Sequence, residues 1–319
     1  MSVAPPLRQP AAGATGPGRP PSPALGRRRR PRERAIRMFL AACGGLSVLT
    51  TAGIVATLAF ETLEFFREVP ILSFLTGTEW SALINPKKYG VLPLVNGTLM
   101  IAGISALVGV PLGVGTAIYL SEYASPKVRN RLKPTLELLA GMPTVVLGYF
   151  ALTFVTPVVI RALFPRADFY NALSGGVVVG VMIVPIIASV SEDAMTAVPR
   201  SLREGAYGLG ASKMSVAMRV VVPAAFSGIM AAIILGVSRA VGETMVVTIA
   251  SGNTPCLGAN PLRSCQTLTA FIAQASFGDT PQTSIEFKSI FAVGAVLFFM
   301  TLILNIASQQ LVRRFRQAY

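Results

Sequence analysis

Six long apolar segments constrain this sequence more than any other feature. Each is long enough to cross a hydrocarbon core of roughly 30 Å as a helix. Only 13% of the residues are charged, whereas soluble domains have about a quarter. The sequence therefore predicts an all-α integral membrane protein with one transmembrane domain, residues 38–315, and no large soluble domain. The six expected spans cover about residues 38–60, 94–120, 138–160, 172–191, 220–250 and 289–312.

Positive charge predicts how these spans are oriented. Seven arginines lie between Arg27 and Arg37, directly before the first span. If the loops alternate and the N-terminus is inside, 20 Lys and Arg lie on the cytoplasmic side, seven lie outside, and Arg239 lies within a span. This excess predicts a multi-pass protein with both termini in the cytoplasm. Because charge beside a span has this explanation, we interpret the arginine block as facing the lipid bilayer and not nucleic acid.

The same composition excludes several classes of chemistry. The chain has no histidine, which excludes His-based catalytic triads and His-ligated metal sites. It also has no G-x4-G-K-[ST] sequence, so it cannot hold nucleotide phosphates in a P-loop. We therefore expect no catalytic residue, no metal and no cofactor bound by this chain. Residues 1–37 are basic and contain many Pro, Gly and Ala, which predicts a disordered cytoplasmic tail.

Two cysteines lie close together in the last external loop. Cys256 and Cys265 stand at the ends of the segment CLGANPLRSC. The outer side of a plasma membrane is oxidising, and the eight residues between them can close a loop. A disulfide between Cys256 and Cys265 is therefore possible.

The cytoplasmic loop from Pro199 to Pro223 reads as a docking surface. Ser201 and Glu204 have the spacing of a Ser-x-x-Glu capping box, which predicts a helix over about 201–213. Capping alone would explain Glu204. It would not explain the glycines, each of which costs a helix about 1 kcal/mol relative to alanine. A glycine-lined face lets another protein approach closely. These glycines are Gly205, Gly208 and Gly210.

The spacing of this loop resembles a known motif. Glu204, Gly205 and Ala206 are followed after three residues by Gly210, and the segment ends in Val-x-Val and Pro223. This pattern is similar to the EAA loop of ABC-importer permeases, E-A-A-x3-G-x9-I-x-L-P, with three conservative departures, which are Gly205 for Ala, Val220 for Ile and Val222 for Leu. The resemblance implies a type I importer permease (MetI-like) bundle. It also implies that the 201–213 helix inserts into a separate ATPase subunit.

Two further segments narrow the resemblance. REGAYGLGAS at 203–212 and SRAVGETMVVTIASGN at 238–253 resemble PstC-type permeases of phosphate importers, and the similarity extends over about residues 38–315. The resemblance implies half of a translocation pathway in a bacterial plasma (inner) membrane. The implied partners are a PstA-like permease, a PstB-like ATPase dimer that binds ATP and Mg, and an external PstS-like phosphate-binding protein.

Arg239 and Glu243 are the charged residues that stand out in the fifth span. On a continuous helix they would share a face, and charge at bilayer depth usually faces a bundle interior or a water-filled path. A guanidinium suits phosphate oxygens, so Arg239 is predicted to line the phosphate path, with Glu243 holding it in place. Ser238 and Thr244 are further candidate donors. Asn305 is expected to form an interhelical hydrogen bond.

Four alternatives remain open at this point, one of which is a non-transporting signalling scaffold that reports phosphate availability to a kinase. The Arg239 and Glu243 pair could be a structural ion pair that fixes helix packing. The substrate could be another tetrahedral oxyanion, such as sulfate, molybdate or tungstate. The chain could also be a gradient-driven secondary anion transporter, although Glu243 is then its one intramembrane carboxylate.

Overall fold

The computed structural model describes residues 31–278, 280–281 and 283–315, and it is almost entirely helical. The predicted all-α fold is therefore confirmed. Two helices continue as π-helical segments, α3 through Tyr119–Tyr123 and α5 through Ala151–Ile160, and a third π-helical segment, Ala217–Val221, follows α9. The helices are α1 (Pro31–Glu68), α2 (Ile71–Thr76), α3 (Leu92–Ile118), α4 (Pro126–Ala140), α5 (Thr144–Phe150), α6 (Arg161–Leu163), α7 (Ala172–Thr196), α8 (Arg200–Gly208), α9 (Lys213–Val216), α10 (Val222–Ala224), α11 (Phe226–Val241), α12 (Met245–Ala250), α13 (Leu268–Phe277) and α14 (Ile285–Phe315).

Five helical stretches in the described part of the chain are long and apolar enough to cross a membrane. A sixth span results if the bent pair Lys213–Ala224 and Phe226–Val241 is counted as one. The two halves of this pair meet at 74°, and Pro223 lies at the bend, where it removes a backbone donor from the helix. The other stretches are Glu33–Glu68, Leu92–Tyr123, Thr144–Leu163, Ala172–Thr196 and Ile285–Gln310.

The N-terminal boundary differs from the expected one. The first helix begins at Pro31, inside the stretch 1–37 that was predicted to be disordered. Pro is favoured at the first position of a helix, because its missing N–H would have no partner there. The rest of the predicted tail, residues 1–30, lies outside the described residues.

The chain divides after Ile54 into two compact units. In the first unit, the described side chains of α1 are exposed and largely apolar. The second unit begins at Val55, and its described residues form three buried apolar clusters. One of them, around Phe65, Phe74 and Trp80, uses edge-to-face aromatic contacts to join the end of α1 to α2 and a short ribbon. The ribbon pairs β1 (Trp80–Ser81) antiparallel with β2 (Lys88–Tyr89), with Trp80 opposite Tyr89.

The closest helix packing joins α3 to α7, because glycines on each helix receive side chains from the other. A Cβ added at Gly113 of α3 would lie 2.7 Å from Cβ of Ile187 on α7. A Cβ added at Gly180 of α7 would lie 2.8 Å from Cβ of Val108 on α3. Ile187 also fills the space over Gly236 of α11. Small residues at these crossings let the backbones approach closely, as is typical of membrane helices.

Candidate functional site

The fifth predicted span, 220–250, is not one continuous helix. Helix α11 ends at Val241, and α12 begins at Met245. Gly242 lies at the break, where its low helix propensity favours an end to α11. The expectation of a continuous helix over this stretch was therefore wrong. The apolar composition of this stretch gives no sign of the interruption in its backbone.

Glu243 is used to stabilise this break. Its carboxylate accepts a hydrogen bond from the backbone N–H of Val246 at 3.3 Å, so it caps the start of α12. Its backbone carbonyl accepts a hydrogen bond from the hydroxyl of Thr269 at 2.7 Å. The side chain is buried, with 8% of the residue exposed. Thr244 donates to the carbonyl of Gly242 at 3.3 Å, within the same segment.

The N-terminal end of α13 holds the break in place. Thr269 and Thr267 are buried and hydrogen-bonded to each other at 3.0 Å. The backbone N–H of Leu268 donates to the hydroxyl of Thr98 on α3 at 3.0 Å. These bonds connect the broken segment to α3, so its irregular backbone lies in polar contact with protein. That is how irregular backbone is tolerated at membrane depth.

Arg239 lies apart from Glu243. It is on the last turn of α11 and its side chain is exposed. Among the residues that the structure describes, no ion pair joins Arg239 to Glu243, and the break means that they do not share one helix face. The expectation that Glu243 holds Arg239 in place is not met within this chain. The role of Arg239 on a substrate path stays a prediction.

Ser238, which precedes Arg239 on α11, is hydrogen-bonded to α14. The hydroxyl of Ser238 donates to the side-chain oxygen of Asn305 on α14 at 3.5 Å, which confirms the expected interhelical bond of Asn305. Ser238 is half-buried and Asn305 is exposed. The Ser238 and Asn305 bond joins α11 to α14, and Arg239 is the next residue of α11. We call these three residues the polar face.

The disulfide loop lies at the predicted external end of the bundle. Cys256 and Cys265 are joined by a disulfide. The side-chain amide of Asn96 on α3 donates to the carbonyls of Cys256 and Gly258, at 3.2 and 2.9 Å. The loop also accepts hydrogen bonds from the first backbone N–H groups of α7, those of Ala172 and Leu173. The loop thus satisfies donors that a helix start leaves free.

An open polar cleft lies next to this loop. It has a volume of about 630 Å³ and is reached from the end of α12. Its size exceeds that of a small tetrahedral anion, and it offers hydroxyl, amide and carboxylate groups. Its lining residues are Leu152, Asp168, Phe169, Tyr170, Thr248, Ile249, Gly252, Asn253, Thr254 and Ser264. Sequence analysis did not identify it, because these residues come from four separate parts of the chain.

The predicted docking loop forms a shorter helix than expected. Helix α8 covers Arg200–Gly208, not 201–213, and Pro199 occupies the N-cap position without a side-chain cap. The Ser201 and Glu204 capping box therefore does not form, because the helix begins one residue before Ser201. The chain then turns at Gly210, which has a φ of 80°, a conformation that favours glycine. Ser212 caps the next helix, α9, by accepting from the N–H of Ser215 at 3.3 Å.

The exposed surface of α8 fits the expected open face. An added Cβ at Gly205, Gly208 or Gly210 would meet no atom within 4 Å. Glu204 is exposed and Ala206 is half-buried, while Pro223 lies beyond the loop at the bend of the fifth span. Sequence analysis missed Leu209, which is 91% exposed directly before the turn. A large apolar side chain so fully exposed beside a bare helix suits contact with another protein.

Two ionic groups beneath α8 were also missed. In the first, the buried carboxylate of Glu192 on α7 binds Arg129 and, at 2.9 Å, Lys133, both on α4. Lys133 also binds Asp193 at 2.8 Å, and the hydrogen bonds to Asp193 and Glu192 raise the pKa of Lys133. Lys133 is therefore charged at neutral pH.

The second ionic group joins α8 to the membrane helices. The guanidinium of Arg203 donates to Glu122, in the π-helical end of α3, at 3.1 Å. It also donates to the carbonyls of Met195 and Val198, at 2.7 and 2.6 Å. Both groups connect residues more than 50 positions apart in sequence, so no local pattern could have revealed them.

The residues described contain no group of three or more His, Cys, Asp or Glu arranged to hold a metal ion. The candidate functional features in the described residues are therefore the polar face, the external cleft and the open face of α8. These three features suit passage of a solute and docking of another protein more than catalysis of a covalent reaction.

Comparison with solved structures identifies the fold. The chain is similar to a chain of the MetNI methionine ABC transporter in an inward-facing conformation, with a TM-score of 0.54, 18% identity, and coverage of 72% of this chain and 95% of that one. It is also similar to a chain of a bacterial ABC transporter involved in import of the polysaccharide alginate, with a TM-score of 0.62, 13% identity, and coverage of 90% and 100%. The expected type I importer permease fold is thereby confirmed.

Comparison with protein sequences identifies the family. The probable ABC transporter permease protein YqgH of Bacillus subtilis is 37% identical over 83% of this chain and 86% of its own length. The phosphate transport system permease protein PstC 1 of Mycobacterium tuberculosis is 35% identical, with coverage of 76% and 82%. The corresponding PstC of Mesorhizobium japonicum is 33% identical, with 86% of each chain covered. The profile of the family described as binding-protein-dependent transport system inner membrane component matches residues 109–317. The chain belongs to this family of non-catalytic, multi-pass permeases, and it is a relative of the PstC permeases.

Proposed function

We propose that this chain is the permease subunit of an ATP-driven phosphate importer and forms half of its translocation pathway. The observation that carries the proposal is the similarity to phosphate permeases named PstC, at 33–35% identity over at least three quarters of the chain. The polar face supports it, because an arginine and two neutral polar groups are suited to an oxyanion that must leave water.

The exposure of Arg239 supports a shared pathway. A charged side chain in a membrane span faces a bundle interior or a water-filled cavity, because contact with lipid costs about 2.5–3.5 kcal/mol. Arg239 is exposed in this chain, and a second permease that covers its surroundings would remove this cost. A PstA-like subunit is the proposed partner, and the phosphate path lies between the two. Ser238 and Asn305 are further candidate hydrogen-bonding groups for the anion, and Glu243 and Thr244 shape the break that follows.

The open face of α8 supports the proposed coupling to ATP. Bare glycines and the exposed Leu209 suit insertion of α8 into a groove on a PstB-like ATPase. Two copies of that ATPase bind ATP and Mg and hydrolyse the nucleotide, while this chain binds no cofactor. In this arrangement Glu204, Gly205, Ala206 and Gly210 lie in the cytoplasm, as do both termini. A PstS-like protein delivers phosphate at the opposite end, where the cleft of about 630 Å³ opens.

The proposal is tested by uptake of radiolabelled phosphate into proteoliposomes that contain the whole complex and ATP. Wild type should accumulate phosphate, and excess unlabelled sulfate or molybdate should not compete. Arg239→Gln should assemble normally and abolish uptake, while Arg239→Lys should retain part of it, because a lysine keeps the charge but loses the planar fork. Arg131→Gln, which removes an exposed arginine from α4, is the matched control. An assembled wild-type complex that transports no phosphate would refute the proposed substrate.

A further inference from the structure

Helix α8 is poorly anchored by packing. It has no buried residue and no side-chain cap, and its glycines meet nothing. Ala206 is its half-buried contact with the apolar cluster below. A helix of nine residues with so little burial is marginal by itself. Its position must therefore be fixed by specific polar bonds.

Arg203 provides those bonds. Its side chain is 17% exposed, and its guanidinium reaches down from α8 to three acceptors on two other helices and their ends. Two are the carbonyls of Met195, in the last turn of α7, and Val198, which follows it. These carbonyls belong to a helix end, where a cation is favoured by the helix dipole and by free acceptors.

The third acceptor is Glu122, whose side chain is 6% exposed. The hydroxyl of Ser121 also donates to this carboxylate, at 2.9 Å. Glu122 lies in the π-helical segment that continues α3, so Arg203 contacts both α3 and α7. A buried carboxylate without a cation would be strongly disfavoured, which keeps the Arg203 and Glu122 contact closed.

Helices α3 and α7, which Arg203 contacts, also pack against each other. Gly113 and Gly180 let α3 and α7 interlock, and Ile187 of α7 also packs over Gly236 of α11. Gly236 is close in sequence to Arg239, on the polar face. These contacts form a continuous chain from α8 through Arg203 to α7 and then to α11, along which a displacement of α8 could be carried.

We infer that Arg203 is a positioning residue that transmits movement of the ATPase-docking helix to the translocation path. The inference rests on the proposed function. The transmitting contacts are the bonds within this chain from Arg203 to Glu122 and to the carbonyls of Met195 and Val198, and not a contact between Arg203 and the ATPase. Arg203 does not touch the substrate.

The test compares Arg203→Gln, Glu122→Gln and the control Arg131→Gln in the complete complex in proteoliposomes. Three quantities are measured: retention of the ATPase on purification, the rate of ATP hydrolysis, and phosphate uptake per ATP hydrolysed. Arg203→Gln and Glu122→Gln should each retain the ATPase and hydrolyse ATP. Their uptake per ATP should fall roughly tenfold, which is typical of a lost coupling between two sites. Arg203→Lys should recover part of the uptake, because it keeps the charge and at least one donor.

Three results would overturn the inference. One is uptake per ATP at the wild-type level in Arg203→Gln. Another is loss of the ATPase from Arg203→Gln while Glu122→Gln behaves as wild type, which would place Arg203 in the docking contact itself. The third is an equal fall in Arg131→Gln, which would make the effect one of general charge. If the wild-type complex hydrolyses ATP but takes up no phosphate, the proposed function fails instead, and an anion that it does transport would serve as the probe.

Discussion

Replacing Gly113 by alanine should weaken the contact between α3 and α7. The new Cβ would lie 2.7 Å from both Cβ and Cγ2 of Ile187, whereas carbon atoms pack favourably at about 3.5–4.0 Å. One helix must therefore move by roughly 1 Å, or Ile187 must leave its position. Overpacking of this kind costs about 1–3 kcal/mol.

A control in the same helix isolates that cost. An added Cβ at Gly115 would meet nothing within 4 Å. Both substitutions gain the same helix propensity, about 1 kcal/mol for glycine to alanine. The gain cancels in the comparison, so Gly113→Ala should be less stable than Gly115→Ala by about 1–3 kcal/mol.

The measurement is thermal unfolding of the purified chain in detergent, with wild type and both variants side by side. The double variant Gly113→Ala with Ile187→Ala should lose less stability than the two single changes added together, because the second change removes part of the clash. Equal stability of Gly113→Ala and Gly115→Ala would refute the reasoning that backbone closeness holds these helices together.

Two further predictions concern the ends of the bundle. Replacing Cys256 and Cys265 by serine should destabilise the external loop by about 2.6 kcal/mol, from the loop-closure entropy for a sequence separation of 9. Proteolysis of the loop should therefore become faster. Unchanged cleavage under oxidising and reducing conditions would contradict this prediction. Glu192→Gln should destabilise the chain by about 1.5–3 kcal/mol, because the buried carboxylate loses its charged bonds to Arg129 and Lys133, which are themselves partly exposed. Unfolding in detergent should begin at a lower temperature, and a wild-type transition would contradict this prediction.

The apolar segments were sufficient to predict the membrane helices and the fold class. They could not locate the interruption at Gly242, because residues on both sides of it are apolar and mean hydropathy does not detect a backbone break. The stabilising bond from Thr269 to the carbonyl of Glu243 comes from a distant part of the chain. Only the folded structure could show that Glu243 caps α12 and forms no ion pair with Arg239.

The docking loop illustrates the same limit at shorter range. Its glycines correctly predicted an open face, since glycine adds no side chain whatever the fold. The Ser201 capping box failed because Pro199 and Arg200 begin the helix one residue earlier. The partner of Arg203 could not be foreseen, because Glu122 is 81 residues away.

The exposure of Arg239 has a consequence for how the cell makes this protein. In the proposed complex, a newly inserted chain without its partner subunit would expose the Arg239 guanidinium to lipid, at a cost of about 2.5–3.5 kcal/mol. Assembly with that partner would remove this cost, so an unassembled copy would be less stable in the bilayer than an assembled one. The residue proposed to attract the transported anion would then also enforce matched amounts of the two permeases.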